Sequence, residues 1–331
     1  MPSIALPQAP DFARVRARCR VVAFWGEGKL LRFVLLKRWT WAVLACPLAA
    51  AAADPVATVT LLEGPATLIR GVARHALAEG VRLQSGDIIE VGDKGLAQME
   101  FTGGAALALG PGTRALAASL SRAKQAAADF YVAQGELKLN WVQQGARLRI
   151  VTPLFTLQAA EGIAVMVVGG AEGSLFVESG EARLVGPRAK GEAPAPLRLK
   201  SGEFYTVKAE QKAAVAARPS PAFIGALPKV FLDPLPSRMA RYKDRQVQPR
   251  RLDVVSYPEV ETWLKAPLEI RRPLLARFQS RATDPAFRSA LVANLKFHPE
   301  WDPILFPEKY QPTEAQTGAT RGAPAPAADK R

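Results

Sequence analysis

Residues equipped for catalysis are sparse in this chain. It has two histidines, His75 and His298, far apart in sequence. A nucleophile–histidine–acid arrangement needs an imidazole oriented by a carboxylate. The surroundings Arg74-His75-Ala76-Leu77 offer neither acid nor nucleophile, so His75 reads as an exposed hairpin residue. Metal centres need His, Cys or acids at ligand spacing, and no such cluster occurs. Glu259 and Glu261 stand two apart, so on a helix they diverge and read as a solvated face. The glycine pairs in Thr102-Gly103-Gly104 and Val168-Gly169-Gly170 lie between strand-like segments. No helix N-terminus follows to hold a phosphate, which makes them hairpin turns. The expectation is a protein that is not an enzyme and takes no metal or cofactor.

The densest chemistry is electrostatic. Between 238 and 251 stand Arg238, Arg241, Lys243, Arg245, Arg250 and Arg251, against Asp244 alone. Such a run suits an anionic surface, lipid headgroups or a cell-wall polymer among them. The alternative is a solvated connector whose charges pair with the C-terminal helices.

The elements around these residues read mostly as strands. A phrase recurs: Ser85-Gly86-Asp87, Gln134-Gly135-Glu136, Ser179-Gly180-Glu181 and Ser201-Gly202-Glu203, each followed by apolar-alternating residues. Glycine at the corner supplies the positive φ of a tight turn, and a strand leaves it. Between 56 and 116, strand-like runs of about five residues alternate with turn signals every eight to twelve, which indicates a sandwich, barrel or β-solenoid. Ala117 to Asp129 is Ala-rich and reads as a short helix or loop excursion. The strand pattern resumes at Asp129–Ala133, Glu136–Val142 and Ala146–Val151, and Ile163–Val168 is apolar enough for burial on both faces. Leu197–Leu199 and Phe204–Val207 form the last expected hairpin.

After that the character changes. Residues 211–237 are rich in Ala and Pro, as a linker is. Ser256-Tyr257-Pro258-Glu259 has the form of a helix start with a capping box. A second helix is expected from Leu268 and a third from Asp284-Pro285, with Phe287, Leu291 and Leu295 on one face. Thr313–Arg331 is a Pro/Ala/Thr tail of disordered composition.

The first 53 residues look like a leader. Lys37-Arg38, an apolar region at about 39–50 and Ala51-Ala52-Ala53 before Asp54 make a secretory signal with a small-residue cleavage site. About thirty residues precede it. Either translation starts downstream, near Val34, or the signal stays uncleaved as an anchor behind a short basic cytoplasmic tail. Both cysteines, Cys19 and Cys46, fall in the leader, so a cleaved chain holds no disulfide even in an oxidising compartment. Val43-Leu44-Ala45-Cys46 has the outline of a lipoprotein box, but Pro47 argues against it. The whole chain of 331 residues carries a formal +14. Without the leader, 36 basic and 28 acidic residues remain, a net +8 that mildly favours anionic partners.

Two blocks resemble the exported half of the FecR-domain family, named for the ferric-citrate regulator of bacteria. The first comprises Glu63-Gly64, Leu83-Gln84-Ser85-Gly86-Asp87-Ile88-Ile89, Val91-Gly92-Asp93-Lys94-Gly95, Met99–Gly104 and Leu107–Thr113. The second comprises Gly135-Glu136-Leu137, Val151-Thr152-Pro153, Gly162-Ile163-Ala164-Val165 and Val177–Glu181. The resemblance implies a periplasmic β-rich domain used in envelope signalling, with no catalytic residue to carry over. The chain departs from it in two ways. The leader is too short for the family's cytoplasmic sigma-holding domain, and Gly162-Ile163 replaces the usual Gly-Thr.

The expected organisation is a leader (1–53), a FecR-like β-domain (54–210), a Pro/Ala-rich and basic linker (211–255), a helical module (256–312) and a tail (313–331). The fold class is mainly β, a short-stranded sandwich, barrel or solenoid-like FecR domain, followed by a small α-helical module. The expected function is that of an exported, non-enzymatic scaffold or sensor of the bacterial envelope. It would be periplasmic after cleavage near Ala53/Asp54 and would bind an envelope protein or cell-wall polymer, not nucleic acid. The alternative is an inner-membrane-anchored transducer coupling an outer-membrane receptor to a cytoplasmic regulator, with membrane contact through the retained leader. An envelope hydrolase comes third.

Overall fold

The computed structural model describes residues 57–121, 127–141, 147–186 and 195–310. The leader with its cleavage site and the 313–331 tail lie outside the described residues. The strands are β1 (Ala57–Glu63), β2 (Ala66–Arg70), β3 (Ala73–Ala76), β4 (Ile88–Val91) and β5 (Leu96–Phe101). They continue with β6 (Ala106–Leu109), β7 (Arg114–Ser121), β8 (Ala127–Trp141), β9 (Arg147–Val151) and β10 (Thr156–Val168). The last five are β11 (Glu172–Val185), β12 (Leu197–Lys200), β13 (Phe204–Lys208), β14 (Ala214–Ala216) and β15 (Arg250–Val254). The helices are α1 (Pro221–Ala226), α2 (Tyr257–Leu264), α3 (Leu268–Phe278), α4 (Pro285–Ala293) and α5 (Asp302–Leu305). The protein is mainly β with a few short C-terminal helices.

The strands form one sheet that curls on itself. Neighbours run β1-β5-β6-β8-β7-β4-β2-β3-β15, while β8 also joins β9 and β10, and β10 leads through β11 to β13 and β14. The ring closes through residues 77–83. Leu77 N–H donates to Ala66 O on β2, and Val59 on β1 donates to Val81 O at 2.9 Å. Named strands pair antiparallel except β8 with β9, so the result is a barrel extended by a hairpin layer and not a solenoid of parallel coils.

Three strands are about twice the expected length, because the sequence pattern breaks where the strands merely bend. All four glycines of the recurring phrase have positive φ. Gly86 and Gly202 sit in turns, but Gly135 and Gly180 lie inside β8 and β11. Gly162 bends β10 directly opposite Gly180. A Cβ on Gly162 would stand 2.0 Å from Ser179 O, so only glycine fits there. The bend at Gly135 lets the first half of β8 pair with β7 and the second half with β6 and β10. The expected helix or loop at 117–129 is instead the end of β7 and the start of β8, with 122–126 outside the described residues.

Alternation along the strands fills the barrel. Leu68, Ile89, Met99, Phe101, Leu107, Phe130 and Leu139 point into one core. Two outer faces are also apolar, so these strands read as continuous hydrophobic runs. The first, Ile69, Ile88, Leu116 and Tyr131, lies under Val260, Trp263, Leu274, Phe278 and Trp301 of the helical segment. Burying each such large side chain contributes roughly 1.5–3 kcal/mol. Arg277 ties the same junction, donating to Ile69 O at 2.8 Å and Gly71 O at 2.6 Å.

The second outer face, Leu61, Leu96, Ala106, Ala108 and Val165, lies under Leu227, Phe231 and Leu235. Residues 211–255, read from composition as a linker, thus carry α1, two 3-10 turns and two strands packed on the barrel. The Ala/Pro content hid the spaced large apolar residues that make this contact. The helix starts are as read. Ser256 N–H donates to Glu259 at 2.7 Å, and Asp284 accepts from Phe287 N at 2.8 Å.

Candidate functional site

One lateral row crosses six strands on the outer face: Arg250 (β15), Ala76 (β3), Thr67 (β2), Glu90 (β4), Arg114 (β7) and Gln134 (β8). It runs beside the apolar row that the helices cover. Because the helices stop short of it, this polar row floors a groove of about 600 Å³, bordered by Gly64-Pro65, Gly92-Asp93 and Leu252. A cavity of that size is in the range that holds small ligands.

The groove is ionic and mostly paired. Arg74 is bound to Glu259 of α2 and reaches Asp253 at 3.2 Å. Arg114 donates to Thr262 Oγ1 at 2.8 Å and stands 3.7 Å from Glu90. Burial pushes the Glu90 carboxyl above its ordinary range, and the Arg114 charge only partly offsets this. Burial also pushes Glu259 up, but hydrogen bonds from Ser256 and the Arg74 charge outweigh it and hold that carboxyl low. Glu261 is bonded to Lys265 at 2.5 Å. The expected solvated face of α2 is therefore two engaged carboxylates, one of them locking the helix to β3. Among the described residues Arg250 has no ion-pair partner, so it is the groove's spare cation.

The basic run itself divides in two. Its first part is the 3-10 turn Met239–Tyr242 and the residues after it, and the backbone there is latched to the barrel. Glu100 of β5, 3% exposed, accepts from Arg238 N at 2.6 Å, Met239 N at 3.2 Å and Ser237 Oγ at 2.8 Å. Tyr242 is buried and its hydroxyl donates to Glu79 at 2.5 Å. That bond, with help from the Arg238 and Arg241 charges, holds the Glu79 carboxyl below its usual range against burial, and it raises the Tyr242 phenol. With the backbone and Tyr242 turned inward, Arg241, Lys243 and Arg245 are exposed. The second part is the edge strand β15. Arg250 opposes Ala76 and Arg251 opposes His75, and every β15 residue is exposed.

Among the described residues none of the six cations, half-buried Arg238 included, makes an ion pair. The arginines that bond across the junction are Arg74, paired with Glu259, Arg114, bonded to Thr262, and Arg277, bonded to main-chain carbonyls, and sequence reasoning did not single them out. Their signal lies in cross-strand register, which no local pattern carries.

The histidines are structural in their surroundings. His75 is half-buried in β3 and not an exposed hairpin residue. His298 is fully buried, 3.1 Å from the Tyr257 hydroxyl and edge-on to Trp301. Burial holds its pKa below the ordinary histidine value. The pairs Gly103-Gly104 and Gly169-Gly170 occupy the β5–β6 and β10–β11 turns. Among the described residues no three His, Cys, Asp or Glu side chains gather as a metal site would need. No helix there is long and apolar enough to cross a membrane.

No family model matches the chain, and no curated protein matches it. Among solved structures it is similar to two crystal structures, each of a "putative anti-sigma factor" from Parabacteroides distasonis. The identities are 15% and 14% and the TM-scores 0.34 and 0.33. Each similarity covers 40% of this chain, which spans 59% of the length of the solved chain.

Proposed function

We propose that this chain is an exported, non-catalytic FecR-like binding protein of the bacterial envelope. It is periplasmic after cleavage near Ala53/Asp54 and engages an anionic envelope protein or cell-wall polymer through the 238–251 edge. The observation that carries this reading is the arrangement of that edge. Arg241, Lys243, Arg245, Arg250 and Arg251 are exposed and make no ion pair among the described residues, on a backbone fixed by buried Glu100 and by pairing with β3. Cations presented on a rigid backbone lose little backbone entropy on binding and strengthen both attraction and encounter rate.

The resemblance of Glu63–Thr113 and Gly135–Glu181 to the FecR domain supports the envelope setting. The non-catalytic reading rests on the surroundings of His75 and His298, neither of which is hydrogen-bonded to a carboxylate among the described residues. The test is to express the full chain in a Gram-negative host, fractionate it and sequence the N-terminus of the recovered protein. The recovered protein is then bound to isolated cell-wall sacculi at low and high salt. A soluble periplasmic product starting at Asp54, whose salt-sensitive binding is lost in Arg241→Glu/Lys243→Glu/Arg245→Glu, is the expected result. A leader-bearing product confined to the membrane, or binding unchanged in the triple variant, overturns the proposal.

A further inference from the structure

A second cationic surface lies elsewhere on the barrel, away from the 238–251 edge. Arg149 on β9 opposes Gln158 on β10, Gln158 opposes Arg183 on β11, and Arg183 opposes Arg198 on β12. All four are exposed and stand on one face. Strand spacing sets neighbours about 4.8 Å apart, so they form a straight row about 15 Å long. Arg147, two residues before Arg149, extends it sideways.

Folding does not account for this row. Like charges directly opposite one another destabilise a sheet, yet Arg183 and Arg198 are directly opposed. Counter-charge is scant. Asp129 takes Arg149 in a two-pronged bond of 3.0 and 2.9 Å, and half-buried Glu181 lies 3.5 Å from Arg198. Arg147 and Arg183 have no ion-pair partner among the described residues. The surface is also concave: Arg147, Arg149, Arg183, Gln158 and Asp129 line a cavity of about 480 Å³. Its border is set by the fold, because Val151, on the Arg149 face of β9, packs against the helical cluster, whereas Arg149 and Arg147 lie clear of it.

We propose that this row binds a linear acidic polysaccharide, whose recurring carboxylates meet successive arginines across the strands. The forked Arg149–Asp129 bond displays the geometry each guanidinium can offer a sugar carboxylate, and the Gln158 amide gives and accepts hydrogen bonds as a hydroxyl-rich chain requires. The row has no aromatic side chain on which a base could stack, which disfavours single-stranded nucleic acid. The row itself carries no exposed large apolar side chain, so a lipid surface gains nothing by insertion.

The full chain is titrated with polygalacturonate, with uncharged pullulan, phosphatidylglycerol vesicles and single-stranded DNA as the other arms. Arg147→Ala/Arg183→Ala weakens polygalacturonate binding by roughly tenfold or more. Gln158→Glu, which places a carboxylate in mid-row without removing packing, weakens it too, guarding against a loss that merely reflects misfolding. Unchanged affinity in both row variants overturns the proposal, as does binding to pullulan, vesicles or DNA as tight as to polygalacturonate.

Discussion

The ammonium of Lys138 donates to the main-chain carbonyl of Phe231 at 2.6 Å, joining the middle of a barrel strand to the segment that crosses over it. Lys138 is 1% exposed, and its other bonds go to both oxygens of Glu178 at 2.9 and 3.0 Å. Lys138 is buried but Glu178 is partly exposed, so removing the carboxylate strands a buried charge. Glu178→Ala is expected to cost about 3–5 kcal/mol, and Lys138→Met/Glu178→Met, which replaces the pair by apolar bulk, much less. Urea unfolding of the two variants checks the difference. Equal losses would mean that the charge pairing is not what matters at this position.

Glu100 holds the start of the basic run by accepting main-chain hydrogen bonds. Glu100→Gln keeps the shape but turns one acceptor into a donor facing N–H groups. The expected loss is about 1–3 kcal/mol, and residues 237–245 should open first. Limited trypsin digestion should then cut after Arg238 or Arg241 faster than in the parent, with the barrel intact.

Gly162→Ala and Gly71→Ala make an informative pair. Both positions have positive φ, but a Cβ at Gly71 meets nothing within 4 Å, whereas at Gly162 it overlaps Ser179 O. The expected cost is about 1 kcal/mol at Gly71 and several times that at Gly162, where a backbone must move. Thermal unfolding measures both.

The pH prediction rests on His298. Its pKa is lowered in the fold by burial, so below the ordinary value near 6.5 the unfolded chain takes up a proton that the folded chain refuses. Stability therefore falls as pH drops from about 7.5 through that range, and the slope flattens in His298→Phe. The melting temperature of both proteins across the interval decides it, and parallel curves would refute the assignment.

Much of the barrel is legible in the sequence because short apolar alternations and glycine turns are local signals. Ile88–Val91 and Leu96–Phe101 are strands inside the 56–116 region that the alternation marks as strand and turn. The pattern misleads where one residue type serves two purposes. Gly135 and Gly180 look like turns but bend continuous strands, as Gly162 does, because positive φ serves a bulge as well as a hairpin. The helical segment shows its start at Ser256 and its apolar face, but that this face covers Ile69 and Ile88 is a long-range fact with no local trace. The same holds for the candidate sites. The 238–251 cations stand together in sequence, so the run is visible as a local pattern. Arg149, Arg183 and Arg198 are aligned only by strand register, and each looks like an ordinary exposed arginine where it occurs.

The two covered outer faces also constrain how the molecule is made. Residues 57–208 leave the ribosome before the segments that cover them, with Ile69, Ile88, Leu116, Leu61 and Val165 still bare. Their covers, Phe231 and Leu235 on one side and Trp263, Phe278 and Trp301 on the other, come later in the chain. Until they arrive the nascent barrel is sticky on two sides at once, so maturation waits on the C-terminal third, and premature truncation yields an aggregating fragment instead of a smaller working domain.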